Sequence, residues 1–293
     1  TKDMIYLRPL APSEGDPSEQ LVNDMDMKNT GIEFEISADV IKTRNVLWNI
    51  SLNGTHYKNA ITKLPEDKPQ DGYDTGDYWR EVGGSIYDYY MKEWAGVNPD
   101  NGLPQYKQYD DDGNVTIVNS HEVATYRKIG KCPIPKLYGG LSTSLSAYGV
   151  DFSASLAYQL GGWVIDSVYS SYMTSGDVGN NWHKDIFNRW TPENRYTDVP
   201  RLQDGDMEAN QKSTRFLTSA SYISLRNVTL GYTLPKSVLN KMKMQGLRIY
   251  LTGDNLWYKS ARKGLDVRQS FSGSVGYGYS AIRTVSLGLN LTF

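Results

Sequence analysis

The side chains best suited to binding a ligand are aromatic residues in two long segments of irregular sequence, 59–135 and 161–216. With Asp and Asn nearby, such rings could stack on a sugar or grip a peptide, since they combine apolar area with a polar handle. The candidate substrate-binding residues are Trp79, Tyr89, Trp94, Trp163, Trp182 and Trp190. The same rings could instead form the small cores that long loops need, or pack against a partner protein.

Enzyme chemistry has little support in the sequence. The chain contains no Gly-rich phosphate loop, no G-x-S-x-G elbow and no H-E-x-x-H motif. Cys132 is the single cysteine and the three histidines lie far apart, so neither a disulfide nor a zinc motif is indicated. Composition alone leaves a glycosidase pair of carboxylates open. We expect no catalytic residues, no metal site and no cofactor.

The acidic run 110–114, Asp-Asp-Asp-Gly-Asn, has two readings. It could be a calcium loop, but it lacks the downstream bidentate Glu at EF-hand spacing. A hairpin turn built by Asp-Gly explains the run equally well and is the reading we favour.

Charge and hydropathy exclude several classes of protein. The 293 residues carry a formal net charge of −2, which provides no basic surface for nucleic acid. Mean hydropathy is −0.53, and no apolar run approaches the roughly 18 residues of a transmembrane helix. The 22 Tyr, 7 Trp and 27 Gly favour strands and turns, and membrane strands need only one apolar face.

Alternation with period two is the clearest structural signal. From Val285 to Phe293, every second residue is apolar and the residues between are small or polar. Segments 152–160, 32–40 and 46–52 repeat the pattern. With 137–148, 217–234, 247–258 and a short strand at 4–8, the sequence predicts eight strands, most of about 9–15 residues, where soluble strands average about 5–6.

The connections between these strands alternate in length. Those at 41–44, 149 and 235–246 are short, and the last resembles a short amphipathic helix. The long ones span 9–29, 59–135, 161–216 and 259–279. Short periplasmic turns alternating with long extracellular loops are typical of an outer-membrane barrel, whose apolar face contacts lipid and whose polar face lines the lumen. A soluble β-sandwich remains the alternative.

Several motifs, in order, resemble the SusC/RagA family of TonB-dependent outer-membrane transporters. Residues 221–235 (SYISLRNVTLGYTLP) and 247–256 (LRIYLTGDNL) are similar to two of its last strands. Residues 29–33 (NTGIE), 94–104 (WAGVNPDNGLP) and 190–194 (WTPEN) look like its other signatures. The resemblance extends over essentially the whole chain.

The resemblance implies an all-β fold in which residues 1–293 form the last eight strands of an antiparallel transmembrane barrel of about twenty-two strands. It places a plug and a TonB-contacting segment upstream, a SusD-like surface lipoprotein over the mouth, and the protein in the outer membrane of a Gram-negative, Bacteroidetes-like cell. It implies import of oligosaccharides or oligopeptides. At 263–268 the chain reads KGLDVR and lacks the family's Pro, which leaves the conformation of that loop open.

Two other functions remain open on the residues alone. The chain could be a small outer-membrane adhesin or binding barrel that uses its long loops, or a soluble carbohydrate-binding β-protein.

Overall fold

A computed structural model describes residues 1–11, 13, 19–173, 179, 181–203, 208–270 and 272–293. The strands, in chain order, are β1 (Met4–Pro9), β2 (Glu19–Lys42), β3 (Val46–Lys63), β4 (Tyr73–Asp74), β5 (Tyr78–Arg80), β6 (Asp88–Lys92), β7 (Trp94–Val97), β8 (Pro104–Tyr109), β9 (Val115–Val118), β10 (Tyr126–Lys128), β11 (Leu137–Ala147), β12 (Val150–Leu160), β13 (Trp163–Asp166), β14 (Leu217–Ser219), β15 (Tyr222–Thr233), β16 (Gly246–Lys259), β17 (Ser274–Val275) and β18 (Thr284–Thr292). The helices are α1 (Ser167–Tyr172) and α2 (Lys236–Leu239), with short 3-10 turns at Lys184–Asn188, Glu208–Asn210, Thr214–Phe216, Asn240–Met242 and Val267–Gln269.

The largest sheet has eight strands in the order β1-β2-β3-β11-β12-β15-β16-β18. Every neighbouring pair is antiparallel. The prediction of eight strands is therefore confirmed. The sheet is open within the described residues, since β1 and β18 lie at its two ends. Among the described helices, none has the length and apolar character needed to cross a membrane.

Two predicted boundaries were wrong. The supposed loop 9–29 is largely strand, because β2 begins at Glu19 and pairs with β1. In this part of β2, Met25 is buried against Ile61 and Leu64. These contacts stabilise the first half of β2, which lies outside the alternating segment 32–40. The predicted strand 217–234 is interrupted between β14 and β15, and only β15 joins the large sheet.

The two faces of the sheet differ in chemistry along their rows of paired residues. One row of paired residues crosses seven strands on the outward face: Ile41, Trp48, Leu145, Phe152, Leu230, Leu251 and Leu287. A row on the opposite, inward face crosses the same strands: Ser37, Ser51, Ser142, Ser155, Asn227, Asp254 and Thr284. Because paired residues point to the same side, the alternation seen in single strands extends across the whole sheet.

Polar atoms on the outward face are satisfied within the sheet. Trp48 donates from its indole N–H to Thr143 Oγ1 at 2.9 Å, and Thr143 in turn donates to the Asn49 carbonyl at 3.1 Å. The Tyr158 hydroxyl donates to the Asn53 carbonyl at 2.8 Å. Internal pairing of this kind is what a hydrocarbon environment requires.

The outward side chains are not covered by a second layer. In β18, Leu287 is 77% exposed, and Phe293, which follows the strand, is 78% exposed. A soluble sandwich would bury this row, since its apolar face is its core. The exposed row therefore agrees with a lipid-facing surface.

The three long connections fold together at one end of the sheet. Segment 64–136 supplies Tyr89 and Met91 to a core that also contains Ile165, Phe216 and Leu217 from segment 161–221. A second core joins Val164 and Ala220 of that segment to Leu265, Val267 and Val275 of segment 260–283. We call this assembly the loop unit. At the other end, α2 forms the predicted short connector and buries Leu239.

Candidate functional site

A cleft of about 640 Å³ lies in the loop unit. It lies between α1 and segment 262–280, and its volume falls within the roughly 300–1,000 Å³ typical of ligand sites. Its aromatic lining consists of Tyr169, Tyr172, Tyr277 and Tyr279, and its charged lining of Asp166, Arg262, Lys263 and Asp266. We refer to it as the tyrosine cleft.

The floor of the tyrosine cleft is organised by Asp166. Its carboxylate accepts from the Tyr169 backbone N–H at 3.0 Å, which caps α1, and from Arg262 Nη1 at 2.7 Å. The Arg262 guanidinium lies 3.4 Å from the centre of the Tyr169 ring, a cation–π contact. The Tyr169 hydroxyl donates to Asp185 Oδ2 at 3.0 Å. Burial, together with this bond, raises the pKa of Tyr169 to about 12, so the phenol stays neutral at physiological pH.

One wall of the tyrosine cleft is the turn at 262–269, whose conformation the sequence left open. Gly264 adopts φ +90°, which only glycine adopts readily, and Asp266 caps the following 3-10 turn by accepting from the Arg268 N–H at 3.1 Å. Arg268 also donates from Nε to Asp266 at 2.8 Å. Burial alone raises the pKa of a carboxyl, but here the bonds from Arg268 outweigh it and the pKa of Asp266 falls below its usual value. The ion pair of Asp266 with Arg268 thus helps to fix this turn.

The open side of the tyrosine cleft presents aromatic faces to solvent. Tyr279 is fully exposed and Tyr277 is 70% exposed, and the Tyr172 ring meets the Tyr277 ring edge-on at 6.0 Å. Both buried carboxylates of the cleft are paired with arginines, so its lining offers rings, two compensated carboxylates and the side chain of Lys263. Such a surface can stack on a flat apolar group and hydrogen-bond to neutral polar groups.

A second cavity of about 270 Å³ lies where β3 and β11 enter the loop unit. Its aromatic lining is Tyr57, Tyr87, Tyr138 and Trp163. Tyr57 and Tyr138 belong to the inward-facing rows of their strands, so this cavity adjoins the polar face of the sheet.

Most of the aromatic residues singled out in the sequence pack the loop unit. Tyr89 is fully buried, and its hydroxyl bonds to the carbonyls of Trp163 and Gly273. Trp79 bonds through its indole N–H to Glu81 at 2.9 Å and lies against Tyr90. In this conformation Tyr89 has no surface to offer a substrate.

The other tryptophans differ in exposure. Trp94 lies edge-on to Tyr106 beneath Arg215, and Trp190 donates to the Pro99 carbonyl at 3.0 Å while covering Gly102. Trp163 is partly buried, with Lys131 Nζ 3.4 Å from its ring centre. Trp182 is 40% exposed. Contact of these rings with a substrate stays a prediction, and none of the six lines the tyrosine cleft.

The residues that line the cleft were only partly visible in the sequence. Tyr169 and Tyr172 stand out as aromatic loop residues, but the segment GYGY at 276–279 belongs to a different connection. What unites them is the parallel pairing of β13 with β17, which joins residues more than a hundred positions apart. Tyr279 lies ahead of β18, which begins at Thr284.

The acidic run at 110–114 forms the turn of the β8–β9 hairpin. The Asp110 carboxylate accepts from the Asn114 backbone N–H at 2.7 Å and from its side-chain amide at 2.9 Å. Gly113 has φ +84°. The hairpin reading is therefore confirmed, and no metal-binding cluster occurs among the residues that the structure describes.

Comparison with known proteins agrees with this architecture. No family model matches the chain. The TonB-dependent receptor P3 of Formosa agariphila is 28% identical over 324 residues, covering 100% of this chain and 31% of the relative. The TonB-dependent receptor SusC of Bacteroides thetaiotaomicron is 30% identical over 288 residues, covering 91% of this chain and 26% of the relative.

Solved structures show the same relationship. The RagAB peptide importer in its closed-closed state matches with a TM-score of 0.84 and 27% identity, covering 100% of this chain and 32% of that chain. Its open-open state matches with the same TM-score and identity, covering 31% of that chain. The chain thus spans between about a quarter and a third of the length of the relatives it matches.

The two-faced antiparallel sheet, the loop unit at one end and these likenesses define a part of the transmembrane β-barrel of a TonB-dependent receptor. Among these receptors the chain is similar to SusC and to the RagAB importer, and it corresponds to the C-terminal portion of the barrel.

Proposed function

We propose that the complete protein imports an oligosaccharide or an oligopeptide across the outer membrane, with energy supplied through TonB. The observation that carries this proposal is the inward face of the sheet, where small polar side chains form unbroken rows over seven strands. A lumen wall of Ser, Thr and Asn leaves room for a plug and offers it hydrogen bonds. The plug and the TonB-contacting segment belong upstream of residues 1–293 in this proposal.

The loop unit supplies the substrate-facing surface. The tyrosine cleft opens among the long extracellular connections and offers exposed rings beside paired charges. We place the first contacts with the substrate here, with Trp182 as a further exposed ring. A SusD-like surface lipoprotein would cover this end and hand the substrate over. The RagAB importer transports peptides, which supports oligopeptides as one of the two proposed substrate classes.

Import, and not adhesion by a small barrel, is favoured by the open edges of the sheet. The eight strands do not close on themselves in the described chain, since β1 and β18 stand at opposite ends. A self-contained eight-stranded barrel would pair those two strands.

Energy-dependent uptake tests the proposal. Cells that produce the complete receptor are supplied with fluorescent oligosaccharide or peptide libraries, with and without an active TonB system. We expect accumulation that needs both the receptor and TonB. Surface binding that is unchanged by loss of TonB, without accumulation, would instead support the adhesin.

A further inference from the structure

The outward face of the sheet carries four basic residues at the end near the loop unit. They are Lys28 on β2, Lys58 on β3, Lys259 on β16 and Arg283 next to β18. Lys58 pairs with Thr30 and Lys259 with Ile223, in rows that continue the outward side. Lys28 pairs with Ala60, diagonal to Lys58, and Arg283 continues the alternation of Val285 and Leu287.

These residues end the apolar band at one membrane level, although they lie on different rows of the sheet. Relative to the shared row of Trp48 and Leu287, Lys58 lies ten residues along β3, and Arg283 only four residues along its strand. Lys58 therefore lies about 20 Å farther along its strand than Arg283 does along β18, and the two strands are about 24 Å apart across the sheet. That slope corresponds to a strand tilt of about 40°, which is the tilt of strands in transmembrane barrels.

The four cations have no partner within the described chain. None takes part in an ion pair, and each side chain is exposed. No Asp or Glu pairs into the outward rows between them and the short-loop end. At that other end, Lys42 pairs with Leu47 on the inward side, so among the strand-paired residues that the structure describes no basic residue faces outward there, and the basic residues at that end, such as Lys236, lie in the short connections.

We propose that Lys28, Lys58, Lys259 and Arg283 form a basic collar that binds the phosphate groups of lipid A in the outer leaflet. Acyl chains would contact the apolar rows below, while the long cationic side chains reach the phosphates at the headgroup level. Only the outer leaflet of this membrane carries the phosphorylated glycolipid, which accounts for a collar at one rim. The inference rests on the outer-membrane location in the proposed function.

The collar is tested on the complete receptor, extracted from outer membranes in mild detergent. The triple variant Lys58→Glu, Lys259→Glu, Arg283→Glu is compared with wild type and with a control that reverses three charges on the short-loop connector, Lys236→Glu, Lys241→Glu, Lys243→Glu. Lipopolysaccharide retained per receptor is measured by mass spectrometry. We expect roughly fivefold weaker retention for each collar charge removed and no loss in the control. Equal retention in the two triple variants would overturn the proposal.

A second measurement identifies the ligand chemistry. Purified receptor in nanodiscs is offered lipid A, lipid A without phosphates, or phosphatidylglycerol. We expect binding of lipid A that is lost on removing its phosphates and exceeds binding of phosphatidylglycerol; equal binding of the dephosphorylated form contradicts the collar. A charge-conserving variant, Lys58→Arg with Lys259→Arg, should keep binding. If the wild-type receptor inserts into the outer membrane and imports substrate but does not retain lipid A, only the collar proposal is contradicted. If the receptor fails to insert, the proposed function is contradicted as well.

Discussion

The hydroxyl of Tyr89 lies 2.7 Å from the carbonyl oxygen of Gly273, a residue 184 positions away in the chain. The same hydroxyl lies 3.0 Å from the Trp163 carbonyl. Tyr89, Trp163 and Gly273 belong to the three different long connections, so one buried phenol links the whole loop unit. Gly273, with φ +95°, has no room for a side chain beside this hydroxyl.

Tyr89→Phe should loosen the loop unit while leaving the barrel strands intact. The variant keeps the ring but removes the donor, which leaves two buried carbonyls less well satisfied at a cost of about 1–3 kcal/mol. Hydrogen–deuterium exchange should rise in β13 and β17 but not in β16 or β18. Tyr196→Phe, at a 90% exposed side chain, is the control. Equal exchange in Tyr89→Phe and wild type would show that the hydroxyl does not hold the loops.

Leu289→Arg and Asn290→Arg should differ because the two residues face opposite solvents. Leu289 pairs with Ile249 on the outward face, and Asn290 pairs with Arg248 on the inward face. An arginine at the lipid-facing position near the membrane centre should cost about 2–4 kcal/mol, and the inward one less. Urea-induced unfolding in lipid vesicles measures both values. Equal destabilisation at the two positions would contradict the assignment of the faces.

Removing the exposed rings of the tyrosine cleft should weaken substrate binding. Tyr277→Ala with Tyr279→Ala deletes two solvent-facing rings without disturbing the buried core, and aromatic stacking of this kind accounts for roughly three- to tenfold in affinity per ring. Titration of the complete receptor with its transported substrate measures the loss. Tyr196→Ala removes an equally exposed ring outside the cleft and should leave affinity unchanged. A loss of the same size in both variants would remove the cleft from the substrate path.

The loop unit should loosen as pH falls below about 6.5. Burial lowers the pKa of His121 below its ordinary value of 6.5, so the unfolded segment takes up a proton before the folded one does. The stabilisation that the neutral imidazole of His121 gives to the loop unit is therefore fully present above pH 6.5 and declines as the pH falls below that value. Hydrogen–deuterium exchange around β9 at pH 7.5 and 5.5 measures the effect.

His121→Gln provides the matched control for this pH dependence. Its amide can still donate to the Lys212 carbonyl, which lies 3.1 Å from His121 Nε2, but it does not titrate. Exchange in the variant should change less between the two pH values. An identical change in variant and wild type would assign the effect to another group.

The strands could be predicted because the alternation of apolar and polar residues is visible within each strand's own sequence. Alternation in Val285–Phe293 depends only on which side of the sheet meets hydrocarbon, and β18 pairs with β16 without a register shift. The prediction was wrong at 9–29, because β2 begins at Glu19, well before the alternating segment 32–40. Polar residues such as Asp24 there are held by distant partners, Arg8 and Lys63.

The candidate site was harder to predict because it depends on contacts between loops. The sequence shows that aromatic residues are abundant in the long connections, but not which of them are buried. Tyr89 and Tyr279 look alike in sequence, yet one is fully buried and the other fully exposed. Tyr89 contacts Trp163 and Gly273 of two other connections, and no local sequence pattern predicts such contacts.

Site-directed spin labelling along β18 tests the central claim most directly. Single cysteines at positions 285–292 of the complete receptor, in a Cys132→Ser background, are labelled in lipid vesicles, and collision with oxygen is compared with collision with a water-soluble nickel chelate. We predict high oxygen accessibility at Val285, Leu287, Leu289 and Leu291, and low values at the residues between them. Uniform accessibility, or oxygen maxima at the polar positions, would contradict a sheet with hydrocarbon on one face and a polar lumen on the other.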